Sequence, residues 1–116
     1  MAQKKILKPK IKKLKPNIQK SIFAFIDLIK KDNIPLKKVI VFGSQANGTA
    51  HKWSDIDICL ISPSFKDQFE AMAYLIKKSY PLKEIIEPHP FHPKDFLNEN
   101  PLVWEIKQNG IEIPLP

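Results

Sequence analysis

Val39-Ile40-Val41-Phe42-Gly43-Ser44 is followed, after ten further residues, by Asp55-Ile56-Asp57-Ile58-Cys59-Leu60-Ile61. The first block joins a β-branched run to a glycine, the pattern of a buried strand that ends in a sharp turn. The second alternates aspartate with isoleucine before turning wholly apolar, as a strand does when its far end lies deep in a sheet. Residues two apart in a strand share a face, so Asp55 and Asp57 are expected to project together while Ile56 and Ile58 enter the core. Two adjacent carboxylates repel, and half-burial is tolerable only where a cation neutralises them or one takes up a proton. Magnesium suits such a pair, because it keeps several waters and takes one or two carboxylates plus substrate phosphates. Gly43, without a side chain, lets phosphate oxygens approach main-chain N–H groups, and Ser44 adds a hydroxyl donor. If residues 45–49 open a helical turn, its free N–H groups face the same anion.

Outward from this stretch the chain alternates helix and strand. Ile18, Ile22, Phe25, Ile26 and Ile29 recur at helical spacing, which predicts a helix over 17–32. Strands are expected over 37–42 and 54–61, with a short polar turn or helix over 44–49 between them. Phe65, Phe69, Met72, Leu75 and Ile76 mark the core face of a helix over 65–80. A third strand is predicted at 84–88. Beyond it Pro90, Pro93 and Pro101 break the chain into loops and two helical turns near 93–98 and 101–108. Helices interleaved with three or four short strands indicate an α/β or α+β domain, a short mixed sheet covered by helices on at least one face.

The 116 residues are the length of one domain, and 43% apolar with 27% charged residues is ordinary globular composition. No apolar stretch is long enough to span a bilayer, so a cytoplasmic location is expected. Cys59 is the lone cysteine, which excludes an internal disulfide and a cysteine-only zinc cluster. Net charge is +7, yet Lys4, Lys5, Lys8, Lys10, Lys12, Lys13 and Lys15 crowd the start. Residues 1–16 therefore read as a basic, flexible tail kept extended by Pro9 and Pro16, ahead of the domain at 17–116. Such a tail is suited to a phosphate backbone, although it lacks stacking aromatics.

The chain resembles the minimal nucleotidyltransferases of the DNA polymerase β-like superfamily, whose signature of Gly-Ser, ten residues and Asp-x-Asp is matched at 43–57. The order of elements over about 17–92 follows the family as well. The resemblance implies a metal-dependent transfer of a nucleoside monophosphate, commonly AMP from ATP, with two Mg²⁺ ions. It also implies an antitoxin whose partner is a HEPN-type toxin. The family's third carboxylate comes from a neighbouring strand, where Glu84 and Glu87 are the candidates. Glu87 is chosen because it follows two isoleucines and precedes Pro88, at a strand end where side chains reach a ligand. Catalytic and metal-binding roles are thus expected for Asp55, Asp57 and Glu87, and nucleotide binding for Gly43, Ser44 and Asn47. Asn47 and Glu87 depart from the family, which usually carries arginine and aspartate there. Asparagine hydrogen-bonds but supplies no cation.

The expected acceptor is a hydroxyl of the partner protein, since so short a chain leaves little room to enclose a small-molecule acceptor. RNA or tRNA ends come second, and a non-catalytic interaction module that retains the fold is the rival from another class. Self-association and association with the partner are both left open. His51 and Lys52 read as a solvated loop. His89 and His92 read as loop histidines, because Pro90-Phe91 defeats regular spacing between them, and Trp53 and Trp104 read as core anchors.

Overall fold

The computed structural model describes residues 10–115. Helix α1 (Pro16–Lys30) begins with proline at its first turn, where the missing N–H has no helical partner to lose. Its stripe of Ile18, Ile22, Phe25, Ile26 and Ile29 is buried. Strand β1 (Lys38–Phe42), the single turn α2 (Ser44–Asn47), β2 (Ile56–Ile61), α3 (Gln68–Ser79), β3 (Ile86–Phe91), α4 (Pro101–Asn109) and β4 (Ile111–Glu112) follow. The strands form one mixed sheet in the order β3-β2-β1-β4. β1 is antiparallel to β2 and β4, whereas β3 runs parallel to β2.

Alternation along the strands builds two apolar layers. Val39, Val41, Ile56, Ile58, Leu60 and Ile86 meet the helices α1 and α3, while Ile40, Phe42, Cys59, Ile61 and Phe91 meet Val103 and Ile106 of α4. Each such side chain, withdrawn from water, contributes on the order of 1.5–3 kcal/mol to folding. Helices therefore cover both sides of the sheet. Cys59 is fully buried in the second layer, and burial pushes its thiol up to about 12. Above pH 9 the unfolded thiol ionises while the folded one does not, so this group's share of stability is present below that pH and lost between it and about 12. Cys59 is expected to resist a thiol reagent at pH 8 in the native chain and to react fully in denaturant; fast native labelling would contradict this packing.

Several expectations are corrected. Of the basic tail predicted over 1–16, the described part is not extended: Lys10–Lys13 form a 3-10 turn, and Ile11 and Leu14 are buried in the core. Apolar residues between the lysines anchor it, while Lys4, Lys5 and Lys8 lie outside the described residues. Of the stripe read for α3, Phe65 and Leu75 are buried, but Phe69 and Ile76 are exposed, Phe69 at 88%, and the helix's core face is Ala71 with Leu75. The helix starts only at Gln68, with the Asp67 side chain accepting from Glu70 N at 3.0 Å, so buried Phe65 belongs to the preceding loop and sets no helical phase. Trp53 and Trp104 are exposed, not core anchors. Glu84, the candidate carboxylate not chosen, accepts hydrogen bonds from Ser21 Oγ and from Asn17 Nδ2, the latter at 3.2 Å, and so ties the approach to β3 onto α1. These bonds, Ser21 foremost, hold its carboxyl below the usual range.

β3 also runs past the expected stop at residue 88, through Pro88 and Pro90. It lies at the sheet's edge, and the odd-numbered main-chain groups face β2: Ile56 N donates to Ile85 O at 2.9 Å and Ser62 N to Phe91 O at 3.0 Å. Both prolines have the other parity. Their missing N–H groups fall on the open edge, where no ladder bond is forfeited.

Candidate active site

The end of β1 and the beginnings of β2 and β3 meet at one end of the sheet. Phe42 stands opposite Asp57, and Asp57 opposite Glu87, so one cross-strand row carries an aromatic ring and two carboxylates. Glu87 reaches Asp57 from the start of β3 rather than from a strand end, because parallel strands begin on the same side. His89, two residues on, shares the face of Glu87. Its Nε2 lies 3.2 Å from Asp57 Oδ1 and 3.7 Å from Glu87 Oε2. The Phe42 ring meets the imidazole edge-on with centroids 4.8 Å apart. Asp57 and His89 are mostly buried, at 24% and 19% side-chain exposure, and Glu87 is 56% exposed.

Gly43 turns the chain beside this row. It has φ +73° and ψ −152°, a region that residues with a Cβ avoid. A Cβ at this position would stand 3.2 Å from Asp57 Cγ and nearer still to Oδ2. The glycine is therefore required twice, by its backbone and by the aspartate packed against it. From Gly43 the chain enters α2, whose first bonds run from Ala46 N and Asn47 N to Gly43 O, at 3.1 and 3.0 Å. The N–H groups of Ser44 and Gln45 precede those bonds, so the turn offers donors next to Asp57.

The ten-residue spacer is folded. Thr49 N donates to Ser44 O, Gln45 Nε2 reaches Ser54 O at 3.4 Å, and His51 N donates to Ser54 Oγ at 2.9 Å. A groove of about 320 Å³ beside it is lined by Lys15, Gln45, His51, Lys52, Ser54 and Glu84 among others. A larger groove of about 440 Å³, between α1 and residues 81–84, includes none of the carboxylate cluster.

Among the described residues, Asp57, Glu87 and His89 offer three ligand atoms within 4.8 Å of one another. Two carboxylates on neighbouring strands beside one imidazole are a donor set that fits a divalent cation. The structure thus brings together Gly43, Asp57 and Glu87 of the residues singled out from sequence. Asp55, exposed and one residue ahead of β2, stands outside that group, and Asn47 is exposed at the end of α2. His89 is a correction: it lies within a strand, not a loop. The alternation Glu87-Pro88-His89-Pro90-Phe91 carried the signal, since it puts both prolines on one parity. His92 does belong to a turn, accepting from Lys94 N at 3.1 Å.

A mixed four-stranded sheet clad by helices, with carboxylates on adjoining strands beside a glycine-serine bend, defines a nucleotidyltransferase. The nucleotidyltransferase domain model matches residues 24–112, and the chain belongs to that family. Among solved structures it is similar to a chain of a toxin–antitoxin complex crystallised with AMP-PNP, at 27% identity and TM-score 0.59 over 81% of this chain and 70% of that one. A chain from a variant of the MntA–HpeT toxin–antitoxin pair is similar at 26% identity and TM-score 0.55, covering 75% of this chain and 67% of that one. A nucleotidyltransferase from Sulfolobus solfataricus, 18% identical with TM-score 0.51 over 84% of this chain and 86% of that one, shares the fold. A comparison with curated proteins gave no match. No helix among the described residues is long and apolar enough to cross a membrane.

Proposed function

We infer that the chain moves AMP from ATP onto a hydroxyl of a partner protein, and that it serves as the antitoxin of a HEPN-type toxin. The observation that carries this reading is the Gly43 bend packed against Asp57, with Glu87 directly opposite. It sets donors for a triphosphate beside acids for a metal. The solved relatives support the partner and the nucleotide, since one is a toxin–antitoxin complex holding AMP-PNP.

In this reading Asp55, Asp57 and Glu87 hold Mg²⁺, two ions when the triphosphate is bound. When bound, such ions polarise the α-phosphoryl group and acidify the attacking hydroxyl. The chain's own groups do the rest. Gly43 and Ser44 hold the outer phosphates through main-chain N–H groups and the serine hydroxyl. Asn47 adds a neutral hydrogen bond, and Lys15 and Lys52, which line the neighbouring groove, supply the positive charge that an arginine at 47 would have given. In this reading Glu87, the more exposed of the paired acids, also helps to accept the proton of the incoming hydroxyl.

The test uses ATP labelled at its α-phosphate, the chain, and the product of the neighbouring gene. Label is expected on that protein, in a bond stable to denaturation. Label on RNA ends would shift the acceptor to nucleic acid. No transfer, together with no magnesium-dependent binding of AMP-PNP by calorimetry, would leave an interaction module in place of an enzyme.

A further inference from the structure

Magnesium is held by oxygen, yet one of the three clustered donors is a nitrogen. Around an octahedral ion with bonds of about 2.1 Å, neighbouring ligand atoms stand about 3 Å apart and opposite ones just over 4 Å. His89 Nε2 is 3.2 Å from Asp57 Oδ1 and 3.7 Å from Glu87 Oε2, and the whole set lies within 4.8 Å. The His89–Asp57 separation is that of neighbouring ligands on one ion, the His89–Glu87 separation lies between neighbouring and opposite, and the widest of the set must close by about half an ångström for all three atoms to reach the same ion. The imidazole is also held in place: it sits on a strand, is mostly buried, and has the Phe42 ring against it. Cys59, opposite His89 and one row deeper, is sealed in the core and adds no further donor.

We propose that His89 Nε2 is a third protein ligand of the cation held by Asp57 and Glu87, and that the site prefers a first-row transition ion such as Mn²⁺ to Mg²⁺. This rests on the reading of the cluster as a metal centre. Imidazole binds first-row divalent ions well, whereas Mg²⁺ gains little from nitrogen and gives up hydration reluctantly. Manganese accepts both carboxylate and imidazole, so replacing an oxygen ligand or a water by His89 moves the preference towards it. The competing role for the same geometry is positional, with His89 hydrogen-bonded to Asp57 and no bond to the ion.

The two roles part in a pulsed electron-paramagnetic-resonance experiment on the full chain loaded with Mn²⁺ alone, without nucleotide. The expected spectrum carries the echo modulation of a directly bound imidazole nitrogen, and His89→Asn removes it. Calorimetry is expected to show Mn²⁺ affinity falling about tenfold or more in that variant, with Mg²⁺ affinity little changed. Mn²⁺ bound without nitrogen modulation overturns the proposal and leaves the carboxylate centre standing, provided Asp57→Asn abolishes binding. Mn²⁺ that does not bind the unmodified chain overturns both. Absence of nitrogen modulation in the unmodified chain decides against the proposal by itself, and modulation that persists in His89→Asn, from His51 or His92, overturns it too; a second variant, His89→Gln, guards against a poorly folding first one.

Discussion

Asp57→Asn is expected to lower nucleotidyl transfer by a thousandfold or more while leaving the chain folded. Loss of a group that holds and charges the metal is worth several kcal/mol at the barrier, and about 4 kcal/mol corresponds to that factor. Asparagine keeps the shape of the side chain, so the cross-strand row of Phe42, Asp57 and Glu87 has no cavity to collapse into. Removing one of two facing carboxylates also relieves their repulsion, so thermal stability should hold or rise slightly. Labelled-ATP turnover and a melting curve on the same preparation check both halves. Transfer at a normal rate by folded Asp57→Asn protein would end the assignment of this row as the active site.

Gly43→Ala should damage the same site from the main chain. With φ at +73° and ψ at −152°, any Cβ is strained, and here it also collides with the Asp57 carboxylate. Backbone strain of this kind costs about 1–3 kcal/mol, which for a domain of this size lowers the melting temperature by roughly 5–15 °C. The collision adds to that and pushes Asp57 out of line. A double-mutant cycle isolates the second part: in an Asp57→Ala background, Gly43→Ala should cost measurably less. Equal costs in both backgrounds would show that only the backbone matters and that the glycine does not serve the aspartate.

How far the sequence went can be traced through particular residues. β1, the bend and β2 were legible because each depends on local physics: a β-branched run, a glycine, and alternation that gives way to burial. The meeting of Asp57 with Glu87 was foreseen, but on the grounds that residue 87 ends a strand, and it begins one. What brings the two together is the parallel pairing of β2 and β3, which no local pattern encodes. His89 was lost for a related reason. Proline normally ends a strand, and only a strand with a free edge carries two of them, so recognising Glu87-Pro88-His89 as strand required knowing where it sits in the sheet. The face of α3 was misjudged because Phe65 is buried yet precedes the helix, a distinction fixed by the cap at Asp67 and not by hydrophobicity. Trp53 shows the opposite error, a large apolar side chain in a folded loop that no neighbouring layer covers.

The prolines of β3 have one more effect. An uncovered sheet margin ordinarily invites a foreign strand to zip on, whether a binding peptide or another copy on the way to aggregation. Here the margin next to the carboxylates lacks the N–H donors of residues 88 and 90, and Gln68 already reaches Pro90 O at 3.5 Å. The opposite margin is the two-residue β4. A protein that approaches the acids from the β3 side must therefore grip side chains and loops, and its register is not dictated by main-chain zippering.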